Sequence, residues 1–126
     1  MNLQYTQLRM GCLICGRGSI AYLRELETQR AAVVYDSRVL DQANRARVEE
    51  LLRGEVRFVA DIQGEPTFAD IRRALEGLGS YAPDLFVAIG GGSVMDAAKA
   101  LWLFYEHPQL PFADAFRPFQ LPRTTG

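Results

Sequence analysis

The stretch DLFVAIGGGSVMDAAK at residues 84–99 constrains the fold of this 126-residue chain more than any other. An unbroken apolar run passes into three glycines, then a serine, then helix-forming residues. That order specifies a strand, a tight turn and a helix start. Such a junction aims unpaired backbone N–H groups and the positive end of a helix dipole at one spot, which suits an anion such as a nucleotide phosphate. Gly90, Gly91 and Gly92 tolerate positive φ and admit a ligand close to the backbone. The alternative is a tight turn whose glycines serve packing alone. The spacing is neither G-x-G-x-x-G nor the G-x-x-x-x-G-K-[ST] of a P-loop.

The rest of the chain sets this junction in an alternating frame. The segment at 8–15 is expected to be extended, and Gly16-Arg17-Gly18-Ser19 turns into a helix near 20–28 with Ile20, Leu23 and Leu26 inward. AAVVY at 31–35 predicts a short buried strand ending at Asp36. A polar, arginine-bearing helix over 39–53 follows, with Leu40, Ala43, Val48, Leu51 and Leu52 inward and Gly54 as its stop. VRFVA at 56–60 is the next strand, and Gly64-Glu65-Pro66 makes a turn. Thr67 caps a helix near 68–78, with Phe68, Ile71, Leu75 and Leu78 on one face. Gly79 to Pro83 breaks that helix, LFVAI at 85–89 is the last strand, and 94–105 is the last helix.

Strands alternating with helices predict an α/β fold, a doubly wound and mainly parallel sheet with helices on both faces. AAVVY and LFVAI are apolar at every position, as strands buried on both faces are. After His107 the pattern gives way to a proline- and aromatic-rich stretch that is expected to lead into a further part of the protein.

Composition narrows the function classes. The length suits one domain. Fourteen basic and fifteen acidic residues nearly balance, which gives no general pull toward nucleic acid or an anionic membrane. Arg38, Arg45, Arg47 and Arg53 alternate with acidic residues and read as a solvated helix face. No apolar run approaches the roughly 18 residues of a membrane span, and the N-terminus lacks a secretory layout, so a cytoplasmic location is expected. Cys12 and Cys15 form C-x-x-C in an apolar, extended setting. Three residues apart on a strand, they point to opposite faces and read as packing residues rather than a redox or metal pair. Trp102, Phe104, Phe112, Phe116 and Phe119 lack an obvious partner in so short a chain, which predicts a homo-oligomer.

Few side chains remain for chemistry. Ser93 can cap the last helix or bond a phosphate oxygen. Ser93-Val94-Met95-Asp96 has the form of a capping box, as does Thr67-Phe68-Ala69-Asp70, so Asp96 has a structural reading beside any functional one. Lys99 lies one turn beyond Asp96 and faces either the same mouth or an ion-pair partner. Asp36, just past a strand, suits a ribose hydroxyl and repels a 2′-phosphate, which favours NAD over NADP; a turn or helix cap is the alternative.

GGGSVMDAAKA resembles the GGGSxxDxAK signature of iron-containing (group III) alcohol dehydrogenases. CGRGSIAYL is similar to that family's opening G-x-G-S turn, and VVYDSRVL to its strand ending in an NAD-discriminating aspartate. GEPTFADI is similar to its Asn-Pro-Thr segment, with Glu65 where asparagine is usual. The resemblance covers most of the chain. It implies a Rossmann-like dinucleotide-binding domain over 1–126, followed in the whole protein by an all-helical domain.

By the same resemblance, Asp36 reads the adenosine ribose, Gly91, Gly92 and Ser93 hold the pyrophosphate, and Asp96 and Lys99 border the reactive end of the cofactor. Glu65 puts a carboxylate near phosphates, which disfavours contact at that turn. The implied activity is hydride transfer between alcohols and aldehydes or ketones. Iron or another divalent metal would be held by an aspartate and three histidines of the helical domain. The chain is therefore expected to be a fragment, inactive alone. LPRTTG at 121–126 faintly resembles the family's P-T-T-x-G-T-x-S-E segment, with an arginine interrupting the proline and threonines, and is expected to lie just upstream of the segment itself. Glycerol dehydrogenases and dehydroquinate synthase-like enzymes share a similar glycine turn, and a non-enzymatic nucleotide-binding or assembly module is a further alternative.

Overall fold

The structure, a computed structural model, describes residues 4–8 and 11–111. Residues Phe112, Phe116 and Phe119 and the 121–126 segment lie outside the described residues. The expected extended N-terminal element is a hairpin, in which β1 (Gln4–Leu8) pairs antiparallel with β2 (Gly11–Cys15). β2 carries both cysteines, and Cys15 is a half-buried free thiol.

Three parallel strands build the main sheet in the order β4-β3-β5: β3 is Arg30–Tyr35, β4 is Glu55–Asp61 and β5 is Leu85–Ile89. Central β3 is buried from Ala31 to Tyr35, as its all-apolar run requires. β5 departs from expectation. Only Val87 is buried, and Ala88 is exposed, because β5 is an edge strand among the described residues. An apolar run alone does not tell a central strand from an edge one.

The helices lie on both faces of this sheet. α1 (Gln42–Leu51) packs with Leu40, Val48 and Leu52 over Ala31, Val33 and Tyr35. α2 (Phe68–Leu78) and α3 (Gly92–Glu106) pack with Ile71, Ala74, Val94, Ala97 and Leu101 over Ala32 and Val34. The alternation of β3 thus divides one strand between two cores. The fold is the expected doubly wound α/β sheet.

Three expected helical stripes are revised. The 20–28 helix is a 3-10 helix, Ser19–Glu25, with no buried residue, and Ile20 is exposed. In α1, Ala43 is exposed; in α2, Phe68 is exposed while Ala74 takes the buried place. Phe104 is core rather than unpartnered, and Trp102 is half-buried. Arg45 is not simply solvated either, since its guanidinium lies 4.9 Å from the Tyr35 ring centre and 4.5 Å from that of Phe58.

The β3–β4 ladder has one irregularity. Val33 pairs Phe58 but Val34 pairs Ala60, leaving Val59 as the extra residue of a bulge. Ile62 therefore reaches the α2–α3 side and the Asp61 carboxylate meets Ser37. At the opposite end of the sheet the buried Tyr81 hydroxyl lies 2.9 Å from the Ala31 carbonyl and 3.0 Å from that of Glu55. Asp84 joins the entries to β3 and β5 by accepting hydrogen bonds from the Thr28 hydroxyl and the Gln29 and Arg30 N–H groups. Among the described residues no helix is long and apolar enough to cross a membrane.

Candidate nucleotide site

The two strongest signals in the sequence meet at the C-terminal edge of the sheet. The Asp36 N–H donates to the Ile89 carbonyl at 3.2 Å, so the end of β3 lies directly beside the glycine turn that follows β5. The helices that leave these two strands, α1 and α3, pack on opposite faces. That is a topological switch point, where the chain ends diverge and leave a crevice above the strands.

The three glycines do different work. Gly90 alone has a left-handed backbone, φ 157°, and a Cβ there would stand 2.5 Å from Cγ2 of Val94. Its role is close packing of the turn against α3. Gly91 and Gly92 do not adopt positive φ, and a Cβ on either would meet nothing within 4 Å. Their missing side chains leave open space in front of the helix start.

The expected capping box at Ser93 and Asp96 is absent. Gly91 is the N-cap of α3 and no side chain caps it. Ser93 therefore falls inside the first turn, where its side chain does not stand in the capping position. Asp41 caps α1 and Thr67 caps α2, the latter in a complete capping box with Asp70. Among the described residues no side chain caps the first turn of α3, which starts beside open space at Gly91 and Gly92.

Asp36 is 7% exposed and heavily engaged. Its carboxylate accepts from the Arg38 N–H at 2.9 Å, from Arg38 Nε at 3.0 Å and from Arg38 Nη2 at 2.8 Å. These hydrogen bonds hold the carboxyl below the usual carboxylate range and raise the Arg38 guanidinium above its own. The turn alternative for Asp36 is therefore realised, at a strand end that lies beside the glycine turn. Arg38 precedes α1 and belongs to this strand end rather than to a solvated helix face. Burial opposes ionisation of Asp61, but hydrogen bonds from Ser37 and Gln63 outweigh it and lower its pKa. The Ser37 N–H reaches Asp61 at 2.9 Å and Gln63 Nε2 does so at 3.0 Å.

The sequence put Arg38 on a solvated helix face and gave no role to Ser37, Asp61 or Gln63. The signal available for Arg38 was its place two residues after the acidic strand end, where an Asp side chain bonds locally. Asp61 and Gln63 had none, because the bulge in β4 decides where they point.

Ser93 and Asp96 also line a cavity of about 640 Å³ between α2 and α3, with Glu65, Thr67, Phe68 and Phe104 on its walls. Asp96 thus joins Ser93, and Glu65 stands in the same cavity. Lys99 is exposed, and no ion pair joins it to Asp96 among the described residues. Among those residues, too, no group of three or more histidine, cysteine, aspartate or glutamate side chains could hold a metal ion.

Comparison with known proteins places this geometry in a family. The model of the iron-containing alcohol dehydrogenase family matches residues 12–125. An aldehyde-alcohol dehydrogenase of Streptococcus pneumoniae serotype 4 is 36% identical over 109 residues, covering 82% of this chain and 12% of that protein. An NADPH-dependent butanol dehydrogenase of Clostridium saccharobutylicum is 32% identical over 117 residues, covering 85% of this chain and 29% of that protein. A solved iron-containing alcohol dehydrogenase of Thermococcus thioreducens superposes with a TM-score of 0.76 at 31% identity, covering 86% of this chain and 32% of that one. The chain spans under a third of the length of each of these relatives.

Proposed function

The chain belongs to the iron-containing alcohol dehydrogenase family, and on that premise we propose that it is the dinucleotide-binding part of a longer oxidoreductase. That protein interconverts small alcohols with aldehydes or ketones. One observation carries the reading: the Asp36 N–H bonds the Ile89 carbonyl, which sets the acidic end of β3 against an open glycine turn and a helix start without a side-chain cap. Those features fit the two anionic centres and the ribose of a dinucleotide.

In this proposal Gly91, Gly92 and Ser93 receive the pyrophosphate on backbone N–H groups. Asp36 faces the adenosine ribose, and Asp96 and Lys99 border the far end of the cofactor. NAD accepts or gives the hydride when bound; the residues of this chain bind and orient it. The described residues do not fit a metal site, and in this reading the metal is held elsewhere in the longer protein. By itself the chain is catalytically silent. The whole protein is cytoplasmic, acts on small molecules rather than nucleic acid or membranes, and assembles with copies of itself.

Calorimetric titration of the 126-residue chain with NAD tests the central claim. Saturable heat and a thermal upshift are expected. No heat and no shift at millimolar NAD would overturn the pyrophosphate site.

A further inference from the structure

We propose that Arg38 makes the adenosine-ribose end of this site tolerant of a 2′-phosphate, so that the chain accepts NADP beside NAD. The inference rests on the dinucleotide reading of the crevice.

An acidic residue at the end of this strand ordinarily excludes NADP in two ways. Its free oxygens bond the ribose hydroxyls, and its charge repels a 2′-phosphate. Both conditions are weakened for Asp36 as it stands. Both carboxylate oxygens already accept from Arg38, Oδ1 from the N–H and Nε, and Oδ2 from Nη2. The pair is also unequally exposed: the Asp36 side chain is 11% accessible and that of Arg38 is 61%. A ligand arriving over the strand end therefore meets a guanidinium before it meets a carboxylate.

Guanidinium has five N–H donors in a planar fork. Asp36 engages Nε and Nη2, which leaves donors for a second anion on the same fork. Arginine suits such a phosphate because two parallel N–H bonds match its oxygens. The opposing charge is close by: Asp61 lies in the field of Arg38, and its carboxylate is held by Ser37 and Gln63. Two carboxylates against one guanidinium do not make a strong phosphate pocket. The expected result is weak discrimination between the two nucleotides rather than a reversal in favour of NADP.

The test compares ADP-ribose with its 2′-phosphorylated counterpart, by calorimetry at fixed salt, on the 126-residue chain. Wild type should bind both within about tenfold of each other. Arg38→Gln should weaken the 2′-phosphorylated ligand by a further factor of about ten or more, the size of a lost charged hydrogen-bond pair, while ADP-ribose binding holds or tightens. Arg38→Lys keeps the charge without the fork and should fall between. Far-UV circular dichroism checks that each variant is folded, and Arg38→Lys carries the test should Arg38→Gln fail to fold. If ADP-ribose binds but neither substitution changes the ratio, the role of Arg38 is overturned and the dinucleotide reading stands. The same holds if wild type rejects the 2′-phosphate by more than a hundredfold. If ADP-ribose itself does not bind wild type, the dinucleotide reading fails, and this inference with it.

Discussion

Neighbouring residues of one type have different uses in this chain. Gly90 is needed for space against Val94, whereas Gly92 opens onto nothing. Gly92→Ala should therefore leave the melting temperature unchanged or raise it, since alanine outranks glycine in a helix by up to about 1 kcal/mol. The same substitution should weaken NAD binding by narrowing the approach to the first turn. Melting curves and NAD titration, run on one preparation, check the two opposite signs. Asp84 offers a second case. The Thr28 hydroxyl, followed by the Gln29 N–H, holds its carboxyl below the usual range. The folded chain then binds fewer protons there than the unfolded chain. Its stabilising effect is complete above the unfolded value of about 4 and fades as pH falls through the lower folded value. Urea midpoints should fall below about pH 4. Asp84→Asn should lower stability near neutrality by about 1 kcal/mol and make that acid limb shallower.

Elements with local punctuation were readable from sequence. β5 and α2 have their expected limits, because glycines follow the one and Thr67 caps the other. Thr67→Ala should cost about 1 kcal/mol, measured as a shift in urea midpoint, by removing that cap. S-x-x-D before α3 carries the same letters as T-x-x-D before α2, yet only the second forms a box. Two glycines before Ser93 let the helix begin two residues earlier, and no local pattern announces that. The 19–25 segment departs for a related reason: its apolar spacing is helical, but none of its residues is fully buried and only Leu23 packs against the core. The candidate site divides along the same line. Asp36, Gly91, Gly92 and Ser93 were identifiable because strand ends and helix starts leave marks in sequence. The grip of Arg38 on Asp36 and the approach of Asp61 depend on side-chain placement across the sheet.

For the molecule as a whole, the sheet order brings the ends of β3 and β5 together, and the diverging helices leave a crevice above them. Among the described residues the outer edge of β5 has no partner strand, beside a hollow lined by Phe86, Trp102 and Tyr105. The bulge in β4 bears on how such a chain tolerates changes of length. Removing one residue from a strand normally turns every later side chain to the wrong face. Val59 is the exception, because Phe58 already pairs Val33 and Ala60 already pairs Val34. Deleting Val59 would join those pairs into a regular ladder with Asp61 still opposite Tyr35. The Val59 deletion should therefore fold, with a loss limited to one partly buried side chain, as circular dichroism and urea unfolding would show. At the bulge β4 can change length by a single residue with Asp61 still opposite Tyr35.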